Sequence, residues 1–203
     1  MCADCAAQIS WVVEPLCERC GRPLSHSAPH CYACTQRPFP LQQVRTAVFF
    51  EDPIQTLIHK LKYSNTFALA SALAAFMLQA WPDWASPINC IIPIPLHEKR
   101  YKERGYNQSE RLAHYLSHER HIWMDTHSLQ RTRHTQPQVH LNAVERQSNV
   151  AGAFSVTDTD IVNKHILLID DVFTTGATLS AAADVLLTAG AATVSGYCLA
   201  RAK

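Results

Sequence analysis

ILLIDDVFTTGAT, residues 166–178, is the stretch from which the fold of this chain is read. Its first four residues, Ile166 to Ile169, are too few for a helix but suit a strand buried on both faces, as in the middle of a parallel sheet. Asp170 and Asp171 then stand side by side at the expected carboxyl end of that strand, the edge that faces the ligand crevice in open α/β sheets. Adjacent carboxylates repel, so they belong where hydroxyls, a cation or water stabilise both charges. A sugar's vicinal hydroxyls meet that requirement.

Thr174-Thr175-Gly176-Ala177-Thr178 follows and leads into Leu179, Ala182, Ala183, Leu186 and Leu187, the spacing of an amphipathic helix. Three hydroxyls and a glycine at a strand-to-helix turn present backbone N–H groups, an open approach at Gly176 and the positive end of a helix dipole, which suits a phosphate. Carboxylates at one end and a phosphate seat at the other describe a ribose 5-phosphate. No G-x-G-x-x-G follows any strand, and there is no G-x-x-x-x-G-K-[ST] loop for a nucleoside triphosphate.

The run LLIDDVFTTGAT resembles the phosphoribosyl-pyrophosphate (PRPP) signature of type I phosphoribosyltransferases. The resemblance implies that Asp170 and Asp171 hold the ribose hydroxyls and that Thr174, Thr175, Gly176, Ala177 and Thr178 wrap the 5′-phosphate. The fold expected is therefore α/β, a type I phosphoribosyltransferase fold with a parallel sheet flanked by helices.

At 203 residues and 47% hydrophobic, the chain has room for one α/β domain plus a small appendage, and its 17% charged content argues against disorder. The formal net charge of +1 leaves any nucleic-acid affinity to a local basic patch. No stretch of eighteen apolar residues occurs, and the start MCADC lacks the charged and apolar regions of a signal peptide. A cytoplasmic protein without membrane insertion is expected.

Six of the eight cysteines form three C-x-x-C pairs, Cys2/Cys5, Cys17/Cys20 and Cys31/Cys34. In a reducing compartment such spacing points to metal, each pair presenting two thiolates to one ion. Cys17, Cys20, Cys31 and Cys34 are the best set for a structural zinc, since Gly21 suits the knuckle turn. Cys2 and Cys5 either replace one knuckle or belong to a second site whose other half is missing, in which case the true start lies upstream. Few apolar residues separate these cysteines, so metal is expected to hold the arm folded. The composition changes after Pro38 and Pro40, giving an arm over residues 1–40 and a main domain over 41–203.

Along the main domain, Val44 to Phe50 reads as the first strand, the stretch from Pro53 as a helix closed by Lys60, Lys62 and Tyr63, and Phe67 to Trp81 as a helix buried nearly all round. Ile88 to Ile94 is the next strand, and Pro93 and Pro95 take the chain out of the sheet. The charged run from Glu98 to Arg104 reads as a basic loop, with a solvated helix face as the plainer alternative for any one residue. Gly105 marks a turn, and a helix begins at about Asn107. Arg131 to Phe154 is a long polar excursion, as in a functional loop or lid, with Leu141, Val144, Val150 and Phe154 as anchors. The last strand is expected at Thr193 to Leu199. Cys90, Cys198, Trp81, Trp84 and Trp123 read as packing residues, and the eleven histidines show no metal-binding spacing.

PIPLH…RGYNQ, the spacing R-x-R-x-T-x-x-Q-x-x-L-x-x-x-x-R-x-x-N-x-x-x-x-F from Arg131 and DDVFTTGAT, preceded by C-x-x-C knuckles, together resemble the ComF (ComFC/GntX-like) family, associated with competence and DNA uptake. The resemblance covers nearly the whole chain and departs from the family at the leading C-x-x-C pair. It implies that Lys99, Arg100, Arg104, Gly105 and Asn107 face pyrophosphate and that Arg133, Thr135, Gln138, Arg146 and Asn149 belong to a lid. It also implies Mg²⁺ with PRPP, and single-stranded DNA and DNA-uptake proteins as partners. Two functions are compatible with this: phosphoribosyl transfer to an acceptor, or a binding module that responds to PRPP or a nucleotide or holds DNA.

Overall fold

The computed structural model describes residues 3–25, 28–36, 39–64, 66–133, 152–158 and 160–203. Four parallel strands form the main sheet in the order β1-β6-β5-β2, with β1 at Val44–Phe49, β2 at Cys90–Pro93, β5 at His165–Phe173 and β6 at Thr193–Arg201. Residues 123–125 extend it beyond β2, where Ile91 N donates to Trp123 O (2.8 Å) and Asp125 N to Ile91 O (2.9 Å). A separate antiparallel pair joins β3 (Leu129–Arg131) to β4 (Phe154–Val156). Residues 134–151 between them, including the expected anchors Leu141, Val144 and Val150, lie outside the described residues.

Strand β5 is buried as its apolar run predicts, and its alternate residues enter two different cores. Ile166 and Leu168 face a cluster with Leu179, Ala182, Ala183 and Leu186 of helix α7 (Ala177–Thr188), whereas Leu167 and Ile169 face the opposite cluster. That second core is built by α3 (Ile54–Tyr63), α4 (Leu69–Gln79) and α6 (Gln108–Arg120). All four side chains from Ile166 to Ile169 are fully buried, each contributing about 1.5–3 kcal/mol. Cys90 and Cys198 are buried packing residues, as expected.

The structure corrects several boundaries. β5 does not stop at Ile169 but runs on through both aspartates to Phe173, because β6 accompanies it to the register pair Phe173↔Arg201. β2 leaves earlier: its last register pair is Pro93↔Ile169, Ile94 N still donates to Ile169 O (2.9 Å), and Ile94 O then accepts from Asn107 Nδ2 (3.0 Å) in place of β5. The carboxylates therefore lie inside β5, where it has lost its neighbour on one side. Helix α4 is not buried all round: Ala70, Leu73, Ala74 and Met77 are buried, while Ser71, Ala72, Ala75 and Gln79 face solvent. Its small residues made the apolar stripe look wider than it is. Trp81 and Trp84 pack edge-on against the buried Tyr197, but Trp123 is 47% exposed under the Lys164 ammonium, 3.7 Å from its ring centroid. Among the described residues no helix is long and apolar enough to cross a membrane.

The N-terminal segment carries two short helices, α1 (Ala3–Ala7) and α2 (Tyr32–Gln36), and docks on the edge strand β1. Val12 N donates to Ala47 O (3.0 Å), Phe49 N to Ser10 O (2.8 Å) and Val44 N to Arg19 O (2.6 Å). Gly21 makes that approach possible: its φ is +64°, and a Cβ there would lie 2.6 Å from Val44 O.

Candidate functional site

Where β2 departs, the acidic pair meets Lys62 of α3 and Ser109 of α6, and Asp170 acts electrostatically on Arg131 of β3. Asp171 is buried, and its Oδ2 pairs with Lys62 Nζ, at the end of α3, at 2.6 Å. Asp170 Oδ1 accepts from Ser109 Oγ (2.9 Å), in the first turn of α6, and from the Asp171 backbone N–H (2.9 Å). Burial, reinforced by the Asp171 carboxylate, pushes Asp170 up to about 7, while Lys62, the Asp171 N–H and Ser109 pull the other way. Burial disfavours the Lys62 charge, yet Asp171 and then Asp170 outweigh it and raise the ammonium's pKa, against Arg104. At β3, burial lowers the Arg131 pKa; Asp170 opposes that, and Arg100 and Arg133 add to it. A cleft of about 230 Å³ opens at Lys62, lined also by Tyr63, Arg100, Glu103 and Arg104.

The turn after β5 is Thr174 to Gly176, and Ala177 already begins α7. Gly176 is the N-cap with φ +80°, a conformation that excludes most side chains, and it leaves the first turn without a side-chain cap. Ala177 N donates to Thr175 Oγ1 at 3.4 Å. The face of Gly176 that a side chain would occupy is filled by protein. A Cβ there would meet the Phe173 ring at 3.0 Å and the Phe39 ring at 3.6 Å.

At the arm, Cys17, Cys20, Cys31 and Cys34 bring their sulfurs within 4.8 Å of one another, with Cys20 Sγ and Cys31 Sγ 3.6 Å apart. Tetrahedral zinc with Zn–S bonds of about 2.3 Å separates its sulfurs by about 3.8 Å, so the set has the right size. Burial would raise the Cys17 thiol, but N–H groups of Cys20, Cys31 and Arg19 bring it down to about 7. Burial raises Cys20 and Cys34. Four such thiols ionise together only around a cation, which fits a closed structural zinc site.

A model of the double zinc ribbon domain matches residues 1–35, and one of the phosphoribosyl transferase domain matches residues 95–203. The DNA utilization protein YhgH of Escherichia coli O157:H7 is 37% identical over 194 residues, covering 93% of this chain and 85% of that protein. Competence protein F of Haemophilus influenzae is 32% identical over 213 residues, covering 100% of this chain and 90% of its own. The chain belongs to the ComF family of phosphoribosyltransferase-like proteins. Competence protein ComFC of Bacillus subtilis is 29% identical over 212 residues, covering 99% of this chain and 84% of its own.

In this ComF-family chain the expected basic loop is a helix, α5 (Glu98–Arg104), because His97 caps its start, Nδ1 accepting from Lys99 N (3.2 Å), and Gly105 ends it with φ +81°. Arg100 and Arg104, one turn apart, line the cleft; Lys99 is exposed, and Lys102 pairs with Glu98 (2.5 Å) on the solvent face. Asn107 is buried and uses its amide structurally, Nδ2 donating to Ile94 O (3.0 Å) and Oδ1 accepting from Ser109 N (3.0 Å). It thereby fixes the start of α6, which carries Ser109 to Asp170. Arg133 is exposed beyond β3, while Thr135, Gln138, Arg146 and Asn149, like Cys2, lie outside the described residues; Cys5 is half-buried and not among the clustered four. Sequence reasoning missed Lys62, Ser109 and Arg131 as partners of the acids. The one available signal was a lysine at the end of a helix whose other polar residues face water.

Proposed function

We propose that this ComF-family chain binds PRPP and transfers its phosphoribosyl group to an acceptor. The single observation that carries the reading is the acidic pair inside β5, unaccompanied where β2 leaves and paired with Lys62, which also lines a cleft with Arg100 and Arg104. Asp170 and Asp171 accept hydrogen bonds from the ribose hydroxyls. The Thr174 to Thr178 turn, at the N-terminus of the twelve-residue α7, takes the 5′-phosphate. Arg100, Arg104 and Lys62 stabilise pyrophosphate as the bond from the anomeric carbon to its oxygen breaks and the electron pair leaves with it, while a nucleophile bonds to that carbon. Mg²⁺ arriving with PRPP supplies further neutralisation of the pyrophosphate charge. Arg133, Thr135, Gln138, Arg146 and Asn149 form a lid that excludes water. Each charge-assisted contact is worth about 1.5–3 kcal/mol, so several must act together.

In this reading residues 1–40 are the zinc arm and 41–203 the phosphoribosyl domain of a cytoplasmic protein that acts in DNA utilization or competence, as the names of its relatives suggest. Titration calorimetry with PRPP and Mg²⁺ tests it. The chain binds, and Asp170→Asn with Asp171→Asn abolishes binding; an unchanged affinity in that variant rejects the site.

A specific surface favours a second reading, a module that binds single-stranded DNA. Tyr63, Phe67 and Tyr101 are 62%, 56% and 46% exposed, with Arg104 over Tyr63 at 5.4 Å and Arg111 over Phe67 at 5.9 Å. Exposed rings beside guanidinium groups suit stacked bases and a phosphate track. Under this reading Arg104→Ala with Arg111→Ala lowers the salt dependence of oligonucleotide binding by about 0.7 in slope per lost phosphate contact, and the two aspartate changes have little effect.

A further inference from the structure

The arm and the Thr174–Thr178 turn are far apart in sequence, yet one buried side chain touches both neighbourhoods. β6 ends at Arg201, whose backbone is tied on both sides, in register with Phe49 of β1 and Phe173 of β5, while its carbonyl accepts from Phe50 N at 2.7 Å. The residue is 2% exposed. Its Nη1 donates to the Cys20 carbonyl at 3.2 Å, inside the first knuckle. On its other side the guanidinium carbon stands 5.5 Å from the centroid of the Phe173 ring. Atoms of that ring lie 3.0 and 3.1 Å from where a Cβ of Gly176 would be. Knuckle carbonyl, guanidinium, ring and N-cap glycine thus form a continuous line of contact.

A buried guanidinium is expensive unless its N–H groups are matched, so the place of the Cys20 carbonyl decides where Arg201 rests. That carbonyl is held by the turn that folds Cys17 and Cys20 toward Cys31 and Cys34. If the knuckle opens, the guanidinium must find another partner. Phe173 then loses the cation on its face, and Gly176, packed against the ring, loses the wall that sets its left-handed conformation.

We propose that Arg201 is a positioning residue that couples metal occupancy of the four-cysteine cluster to the shape of the Thr174–Thr178 turn. Loss of zinc then weakens phosphoribosyl binding at a site that contains none of the cysteines. The effect on affinity rests on the phosphoribosyl reading above, whereas the effect on the turn does not. The coupling is reciprocal, so phosphoribosyl ligand also tightens the hold on zinc.

The test compares the wild-type full chain and Arg201→Met, each zinc-loaded and after chelator stripping, by amide hydrogen exchange of residues 173–179 and by calorimetry with PRPP and Mg²⁺. In the wild type, stripping speeds exchange in this segment, leaves β2 protected and weakens affinity about tenfold, within the usual range of coupling between sites. Zinc-loaded Arg201→Met already shows the faster exchange and weaker binding, and stripping adds little. Unchanged exchange at 173–179 on stripping the wild type overturns the proposal. So does equal acceleration in β2, which means the metal holds the whole chain together, and so does an Arg201→Met protein that answers stripping as fully as the wild type. If Arg201→Met does not fold, Phe173→Leu keeps the bond to Cys20, removes the ring and enters the same comparison. A zinc-loaded wild type that fails to bind PRPP sinks the phosphoribosyl reading, while exchange still judges Arg201.

Discussion

Replacing Lys62 by Met is expected to destabilise the protein far more than a surface lysine change would. Lys62 Nζ lies 2.6 Å from Asp171 Oδ2, with the two side chains only 23% and 6% exposed. Removing one partner of a buried pair costs about 3–5 kcal/mol, because the other charge is left without compensation; an exposed pair is worth about 0–1 kcal/mol. Since part of the lysine still reaches water, the low end applies, about 3 kcal/mol. That lowers the melting temperature by about 6–12 °C for a chain of this size. Adding Asp171→Asn removes the orphaned charge, so the double variant loses only about 1 kcal/mol, less than the sum of the two single changes. A raised lysine pKa contributes stability that is fully present below the unfolded value of about 10.4 and is lost as pH rises through the folded value. Urea unfolding at pH 7.5 therefore reads the whole effect, as a shift in midpoint at constant slope. A loss below about 0.5 kcal/mol, or strictly additive single changes, would show that the ion pair does not hold the acids in place.

Asp170 gives the same sign with pH, in a lower window. Its folded value of about 7 lies above the ordinary carboxylate value, so its contribution to stability is fully present at acid pH and is lost as pH rises toward 7. Asp170→Asn removes that dependence, and relative to the wild type it gains about 2 kcal/mol between pH 5 and pH 8 in urea unfolding; a constant difference across that window contradicts the burial argument. Gly176→Ala forces a side chain to φ +80° and against the Phe173 ring, which costs about 1–3 kcal/mol in the same assay, and wild-type stability in this variant excludes the tight packing described.

Much of the site was legible because its motifs are local. The apolar run, the acidic pair and the hydroxyl-rich turn are neighbours in sequence, and each residue type carries its chemistry wherever the strand is placed. The four cysteines are equally readable, since C-x-x-C spacing itself presents two sulfurs to one point. The charged run at 98–104 was harder. Its helix depends on a histidine cap and a glycine stop, and only the fold turns Arg100 and Arg104 toward the cleft while Lys102 and Glu98 pair in solvent.

What the chain alone determined is thus the α/β alternation, the acidic strand with its helix-capping turn and the four-thiol cluster. Tertiary structure decided where strands end and which charges meet. β5 runs past its acids because β6 runs beside it, and the acids are unaccompanied on one flank because Asn107 takes the Ile94 carbonyl where β2 turns away. Lys62, Ser109 and Arg201 acquire their partners across separations of 109, 61 and 181 residues. No periodicity encodes such meetings; packing two cores on opposite faces of one sheet produces them.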